Sequence, residues 1–369
     1  MKQLGNQIEN RKVDHIKICS EENVQARGTT TGFEDVYLVH KALPEIERNK
    51  IDLSTVVLSH EFSAPLLVGA MTGGAAEATK INAAIAEAVE ELGLGMGVGS
   101  QRAAIEDPKW VESFAIVREK APTAFLVANI GGPQLVSGYG VKEAKKAVEM
   151  LRADALAIHL NPLQEAVQPE GETEYSGVFD KIGEITQALQ VPVIVKETGA
   201  GIAAEEAEML EEAGVAGIDV AGVGGTSWAA VEYHRAKRVR DEFRQRLGET
   251  FWDWGIPTAV SLVEVVQSVH VPVIASGGIR YGTDVAKSLA LGASLASMSS
   301  PILHSAAKGP EEVKKALQFV VEELRNAMFL TGAESVEKLQ KVPAVLTGKT
   351  GEWLRMRGFK PELYARRKA

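Results

Sequence analysis

Short apolar runs recur along this chain, and after each one the apolar positions return at helical spacing. PLLVGAM (65–71) precedes the alanine-rich pattern of 76–92, and LGMGV (94–98) precedes a helix from about 108. AFLVANI (124–130) leads into a helix over 140–152, and DALAIHL (154–160) into one near 176–190. PVIVKE (192–197) is followed by a helix over 203–213, and AGIDV (216–220) by a longer excursion. PVIAS (272–276) precedes a helix over 282–291, and SLASM (294–298) a long one from about 311 to 330. The runs are short, continuous and rich in β-branched residues, the pattern of parallel strands covered on both faces. Eight strand–helix units predict an α/β chain folded as a (β/α)8 TIM barrel. A doubly wound sheet is the alternative. Its dinucleotide form needs G-x-G-x-x-G after the first strand, and GLGMGVGS (93–100) has glycines at the wrong spacing.

The barrel pattern occupies residues 65–331. Residues 1–64 form an N-terminal extension and 332–369 a C-terminal tail packed on the barrel, both additions to one domain. With 45% hydrophobic residues the chain can bury a large core, and nothing in it reads as disordered. No apolar window is long enough to span a bilayer, and MKQLGNQIENRKVDH lacks a signal core. A single cysteine, Cys19, excludes an intrachain disulfide framework and a thiolate zinc site, so a cytoplasmic location is expected. A net charge of −9 argues against nucleic acid as the main partner, while leaving room for local cation clusters that receive a small anion.

In a barrel of this class the chemistry belongs at the C-terminal ends of the strands. Those ends read MTGG (71–74), GSQR (99–102), NIGG (129–132), HLNPLQE (159–165), KETG (196–199), AGVGGTSW (221–228), SGGIR (276–280) and SSP (299–301). Each combines a glycine or small residue with a hydrogen-bonding side chain. Any one of these is an ordinary turn; all eight together describe a binding rim. The glycine pairs after the sixth and seventh strands, with Ser299 and Ser300 after the eighth, would let backbone N–H groups approach a phosphate closely. The plainer reading of a single Gly-Gly pair is a tight turn at positive φ.

Individual side chains carry two readings each. Strand alternation puts Ile194, Lys196 and Thr198 on one face and Val193, Val195 and Glu197 on the other. Lys196 then either points into the barrel mouth, balancing a buried negative charge, or stands in water beside Glu197. Glu165 is a Mg²⁺ ligand shared with substrate phosphates, or a solvated loop carboxylate. His159 ends an apolar strand, where a satisfied structural histidine is the commoner case; Asn161 and Gln164 beside it shift the balance toward binding. Arg11 and Lys12 read as solvated charge by mechanics alone. Trp228 and Glu232 share one helical face, the pattern of an amphipathic helix with its tryptophan in the core.

Together RKVDH, MTGG, GVGSQR, HLNPLQE with QPEGE, VIVKETG, GGTSW and SGGIR closely resemble the type 2 isopentenyl-diphosphate isomerases, from Arg11 to about Ser300, with a weaker echo at LTGA (330–333). MTGG and SGGIR are shared with other flavin barrels. The resemblance implies interconversion of isopentenyl and dimethylallyl diphosphate, with FMN as prosthetic group in its reduced form, Mg²⁺, and NADPH or NADH serving only as reductant. It implies FMN contacts at Ala70, Met71, Thr72, Ser100, Asn129, Lys196, Thr226, Gly278, Ile279, Arg280, Ser299 and Ser300. It implies substrate contacts at Arg11, Lys12, Ser100, Gln101, Arg102, His159, Asn161, Gln164 and Trp228, so that the N-terminal extension joins the substrate site, with Glu165 on the metal. Catalytic roles fall to Lys196, beside the flavin, and to Gln164, Glu165 and Glu232 as candidate proton relays. A homotetramer or homo-octamer is implied as well. One departure is Ala221, where family members often carry a hydroxyl.

The rival enzyme classes lack their residues. An FMN-dependent hydroxy-acid oxidase would need a catalytic histidine after the sixth strand, where this chain has VGGTSW. An IMP-dehydrogenase-like barrel would need a loop cysteine, and Cys19 lies far upstream. A barrel that binds a phosphorylated ligand without converting it also accommodates the rim.

Overall fold

The computed structural model describes residues 2–367. Eight parallel strands close into a barrel: β1 (Leu66–Val68), β2 (Gly95–Gly97), β3 (Phe125–Gly131), β4 (Ala155–His159), β5 (Val193–Lys196), β6 (Gly217–Asp219), β7 (Val273–Ala275) and β8 (Leu295–Met298). Each pairs with its sequence neighbours, and β8 pairs with β1 through Ala296 opposite Leu66. The helices expected after the strands are present, among them Ala76–Leu92, Val141–Leu151, Val178–Ala188, Ala204–Glu212, Gly282–Ala290 and Pro310–Thr331. The excursion after β6 resolves into three helices, Trp228–Arg238, Glu242–Thr250 and Thr258–Ser268.

Strand parity sorts the core. Val193 and Val195 of β5 face the helix layer with Leu126, Leu156 and Ile218. Leu67, Phe125, Val127, Ala155, Ala157, Ile194, Ile274 and Leu295 instead fill the barrel interior, where Val57 and Phe62 join them. Those two come from an antiparallel hairpin, Thr55–Val57 with His60–Phe62, which closes the N-terminal end of the barrel. Because the lower interior is packed solid, the room for a ligand inside the barrel lies at the opposite rim.

The two additions have defined places. Val36–Leu38 pairs antiparallel with Ala344–Leu346, so the extension and the tail share one outer sheet. Arg357 and Trp353 of the tail reach the buried Glu264 on helix Thr258–Ser268. The helix Lys2–Glu21 packs against Arg102–Glu106, Trp228–Arg238 and Ser300–Ala306, three elements of the rim, and so lies across the mouth. Met1, Lys368 and Ala369, the ends of the two additions, fall outside the described residues.

Candidate active site

One step above the apolar interior layer, the same parity turns polar. Counting two residues on from Val127, Ala157, Ile194 and Gly217 gives Asn129, His159, Lys196 and Asp219; from Ile274 and Leu295 it gives Ser276 and Ser297. All six line a cavity of about 240 Å³ at the barrel mouth. Register places three of them side by side, His159 opposite Lys196 and Lys196 opposite Asp219. Lys196 therefore faces the mouth, and its Nζ donates to the backbone oxygen of Glu197 rather than to that residue's carboxylate. Asp219 is buried, and burial pushes its carboxyl above the usual range while Lys196 opposes the shift. Its carboxylate accepts from the Ser276 hydroxyl.

The floor over β1 and β8 is short of partners. Thr72 Oγ1 and Ser297 Oγ are buried with no hydrogen-bond partner. Unmet polar groups of this kind in a cavity wall are what a polar ligand would satisfy. Ala70, Met71 and Ser100 line the same wall, as do Ser299 and Ser300. Across the mouth, the loops after β6 and β7 approach each other so closely that a Cβ on Gly225 would lie 2.5 Å from the Gly278 nitrogen. Gly277 and Gly278 adopt φ of 96° and 75°, which glycine alone takes without strain. Thr226, Ile279 and Arg280 complete this cradle, and Gln25 of the extension accepts a bond from the Arg280 guanidinium. Ala221 lies buried on the cavity wall at φ 37°, and Ser276, the nearby hydroxyl, is already given to Asp219.

The other side of the cavity is cationic. Arg11 and Lys12, from the N-terminal helix, line it with Arg102 and His159. Burial pulls the Lys12 ammonium down to about 8, reinforced by the positive charges of Arg11 and Arg102. Burial, Lys196 and Lys12 likewise bring His159 down to about 3, so its imidazole is neutral, with Nδ1 2.8 Å from Asn129 Oδ1. Arg102 is held by Glu106 at 2.9 Å and by Glu172 at 2.7 Å.

The loop after β4 explains HLNPLQE and QPEGE together. The short helix Pro162–Val167 turns Asn161, Gln164 and Glu165 toward the mouth. Glu165 Oε1 accepts from Asn161 Nδ2 at 2.8 Å, and Oε2 accepts from the Glu172 backbone N–H at 2.7 Å and from Gln168. Amide donors thus orient this carboxylate without cancelling its charge, and Oε1 keeps a lone pair. No group of three or more potential metal-binding side chains occurs among the described residues.

Every other candidate named from the sequence lines the cavity, Trp228 included, but two do not. Gln101 is fully buried behind the rim; its Nε2 donates to Ala147 O at 2.9 Å and its Oε1 accepts from Asn129 N at 2.8 Å. It shapes β3 and does not line the cavity. Glu232 stands one layer back, 1% exposed, with Oε1 3.0 Å from His15 Nε2 and Oε2 2.6 Å from Arg235. Burial would raise its carboxyl, but His15 and Arg235 hold it below the usual range. His15 reaches the cavity in its place, its ring edge-on to Trp228 at 5.1 Å. Sequence reading missed His15, Gln134, Asp219, Ser276 and Ser297. Applying the in–out alternation within β6 and β8, and one residue past β7, would have found the last three.

A family model described as FMN-dependent dehydrogenase matches residues 5–131 and 132–345. The curated isopentenyl-diphosphate delta-isomerase of Methanosarcina acetivorans is 51% identical over 98% of this chain and 98% of its own. That of Pyrococcus furiosus is 53% identical over 94% and 89%. The chain belongs to the isopentenyl-diphosphate delta-isomerase family. Its fold recurs in a putative lactate oxidase of Pediococcus acidilactici, at TM-score 0.67 and 18% identity over 94% of each chain. At that identity the likeness extends to the barrel alone. The loop after β6 in this chain, VGGTSW, carries no histidine, and Arg11 and Lys12 of the cationic wall come from the N-terminal helix.

Proposed function

We propose that this chain interconverts isopentenyl and dimethylallyl diphosphate, with reduced FMN on the floor of the cavity and Mg²⁺ between Glu165 and the diphosphate. The observation that carries this reading is the crowding of Arg11, Lys12 and Arg102 along one wall, where burial first and then the charges of Arg11 and Arg102 pull the Lys12 ammonium down to about 8. Arg102 already has Glu106 and Glu172, so Arg11 and Lys12 are the charges that a diphosphate would neutralise.

The residues present fit the flavin. Thr72 Oγ1 and Ser297 Oγ lack partners on the floor, and the Gly225–Gly278 approach leaves backbone where a phosphate would need it. Ala70, Met71, Ser100, Asn129 and Lys196 would border the ring system, with Thr226, Gly278, Ile279, Arg280, Ser299 and Ser300 around the phosphate. A reduced flavin supplies an acid–base nitrogen and an electron-rich face next to a developing cation, with NADPH or NADH as reductant.

The chain's own part is orientation and charge. Arg11, Lys12, Arg102, neutral His159, Asn161 and Gln164 hold the diphosphate, so binding energy from the non-reacting end fixes the alkene. Glu165 is a single carboxylate with one free lone pair, which suits an ion that takes its remaining ligands from phosphate and water. Lys196 places a positive charge at the floor, where it favours an anionic ring. Ile16, Met71, Trp228 and Leu303 give the alkene end an apolar wall that keeps water from a reactive carbon. Gln164 lies at the wall, and Glu232 meets the cavity through His15. We place the enzyme in the cytoplasm as a homotetramer or octamer; Tyr37 and Val345, paired across the outer sheet and both exposed, supply an apolar face for assembly.

The test is product analysis from purified, FMN-loaded chain under anaerobic conditions with NADPH and Mg²⁺. Formation of either diphosphate from the other is expected. Tight binding without conversion in either direction would leave a binding protein.

A further inference from the structure

Glu197 is a buried carboxylate that the reading above does not use. Strand parity turns it away from the mouth, into the layer between barrel and helices, where it is 5% exposed. Its Oε2 accepts three successive backbone N–H groups, from Thr198 and Gly199 at 2.6 Å each and from Ala200. Its Oε1 is buried with no partner. Its backbone oxygen receives Lys196 Nζ. The loop it grips is a shared wall: Thr198 and Gly199 line the main cavity on one side and, with Glu197, a small recess on the other. There is no slack behind the loop, because a Cβ on Gly199 would come within 3.0 Å of Thr226 O.

We propose that Glu197 is a positioning residue: its carboxylate clamps the 198–200 loop and thereby sets Lys196 and the Thr198–Gly199 wall of the substrate cavity. This deepens the isomerase reading and rests on it for its kinetic consequence only. Three convergent N–H donors on one carboxylate oxygen form a charge-assisted cage, stronger than the same bonds to a neutral acceptor. The unpaired Oε1 is where a proton would go. Burial pushes the carboxyl up to about 7 against the pull of the three amides and of Lys196. Of the other ionisable groups, Tyr175 is kept a neutral phenol by burial first and then by the charges of Glu165, Glu197 and Glu172. The tryptophans of the recess, Trp228, Trp252 and Trp254, carry no charge. The clamp is therefore at full strength above neutral pH and slackens below it.

Two readouts on the FMN-loaded chain test this. The first is intrinsic tryptophan emission against pH, which needs no turnover. Wild type should show a transition with a midpoint near 7 that Glu197→Gln abolishes. The second is the pH profile of kcat and KM. Wild type should lose kcat on the acid side of 7 with KM little changed. Glu197→Gln, which keeps an oxygen acceptor for the cage, should lose the acid limb at a cost of about threefold in kcat, whereas Glu197→Ala should fall more than tenfold at every pH. If Glu197→Ala does not fold, Glu197→Gln alone decides. An emission transition shared by wild type and Glu197→Gln, or wild-type kcat with an unchanged acid limb in either variant, overturns the proposal. A protein without isomerase activity still gives the emission result, so the two readings fail separately.

Discussion

Replacing Lys12 by methionine removes one of the cations on the substrate wall while keeping most of the stem's volume. In the ligand-free chain the Lys12 ammonium sits at about 8, against an ordinary 10.5, because burial, Arg11 and Arg102 disfavour its charge. A bound diphosphate reverses the balance and raises that value. Full return to the ordinary value would correspond to about 3 kcal/mol. The ammonium stays partly in contact with cavity water, so about half, ~1.5 kcal/mol or roughly tenfold in affinity, is the expected share. The sign follows from linkage. Above pH 8 the free enzyme has lost the proton that the complex holds, so binding takes up a proton and affinity falls as pH rises from 8 toward the bound value. The ester's own last ionisation, near 6, does not interfere. Calorimetric titration of dimethylallyl diphosphate into oxidised, FMN-loaded enzyme, in buffers of different ionisation enthalpy, counts that proton directly. Wild type should take up a fraction of a proton at pH 8.5, and Lys12→Met none, with about tenfold weaker binding at pH 7. Equal proton uptake by both proteins at pH 8.5 would show that Lys12 does not face the diphosphate.

Two other substitutions bear on the scaffold of the site. Gly225→Ala puts a methyl 2.5 Å from the Gly278 nitrogen, so the cradle must open; FMN affinity, read by quenching of flavin fluorescence, should drop at least tenfold with little loss of secondary structure, and unaltered affinity would move the phosphate elsewhere. Gln101→Leu strips the Asn129 N–H of its acceptor inside the rim and should cost about 2–4 kcal/mol in urea unfolding; a loss below 1 kcal/mol would mean that another acceptor takes over.

The strands were legible because parallel strands buried on both faces are continuous apolar words, and a chain of 369 residues has few other uses for eight of them. The rim was legible from the strand ends, where glycine and polar residues coincide. Depth was not. Gln101 and Arg102 are adjacent in GVGSQR, yet Arg102 opens on the cavity and Gln101 turns inward to tie β3 to helix Val141–Leu151. Which of two neighbours faces out at a strand-to-helix turn depends on backbone geometry that spacing does not encode. Glu232 is a parallel case: its helical face was readable, but the interposed His15 comes from residues more than two hundred positions away. Arg11 and Lys12 became intelligible only once their helix was seen across the mouth, since charge on an amphipathic segment is usually solvated. Their meaning came from the resemblance, not from mechanics.

The stretch of chain that carries Arg11, Lys12 and His15 continues into Val24 and Ala26, which hydrogen-bond to Ser227 and Gly225, and into Thr31, which fills the space beside Gly224 and Gly278. Arg367, by contrast, bonds to Ala290 and Gln340 at the far end of the cylinder, below the plugged floor. Affinity handles, fluorescent reporters and surface attachments therefore belong on the Arg367 side of the barrel. A bulky group placed on the Arg11–His15 stretch would stand in the doorway, beside the segment that props the cradle behind it.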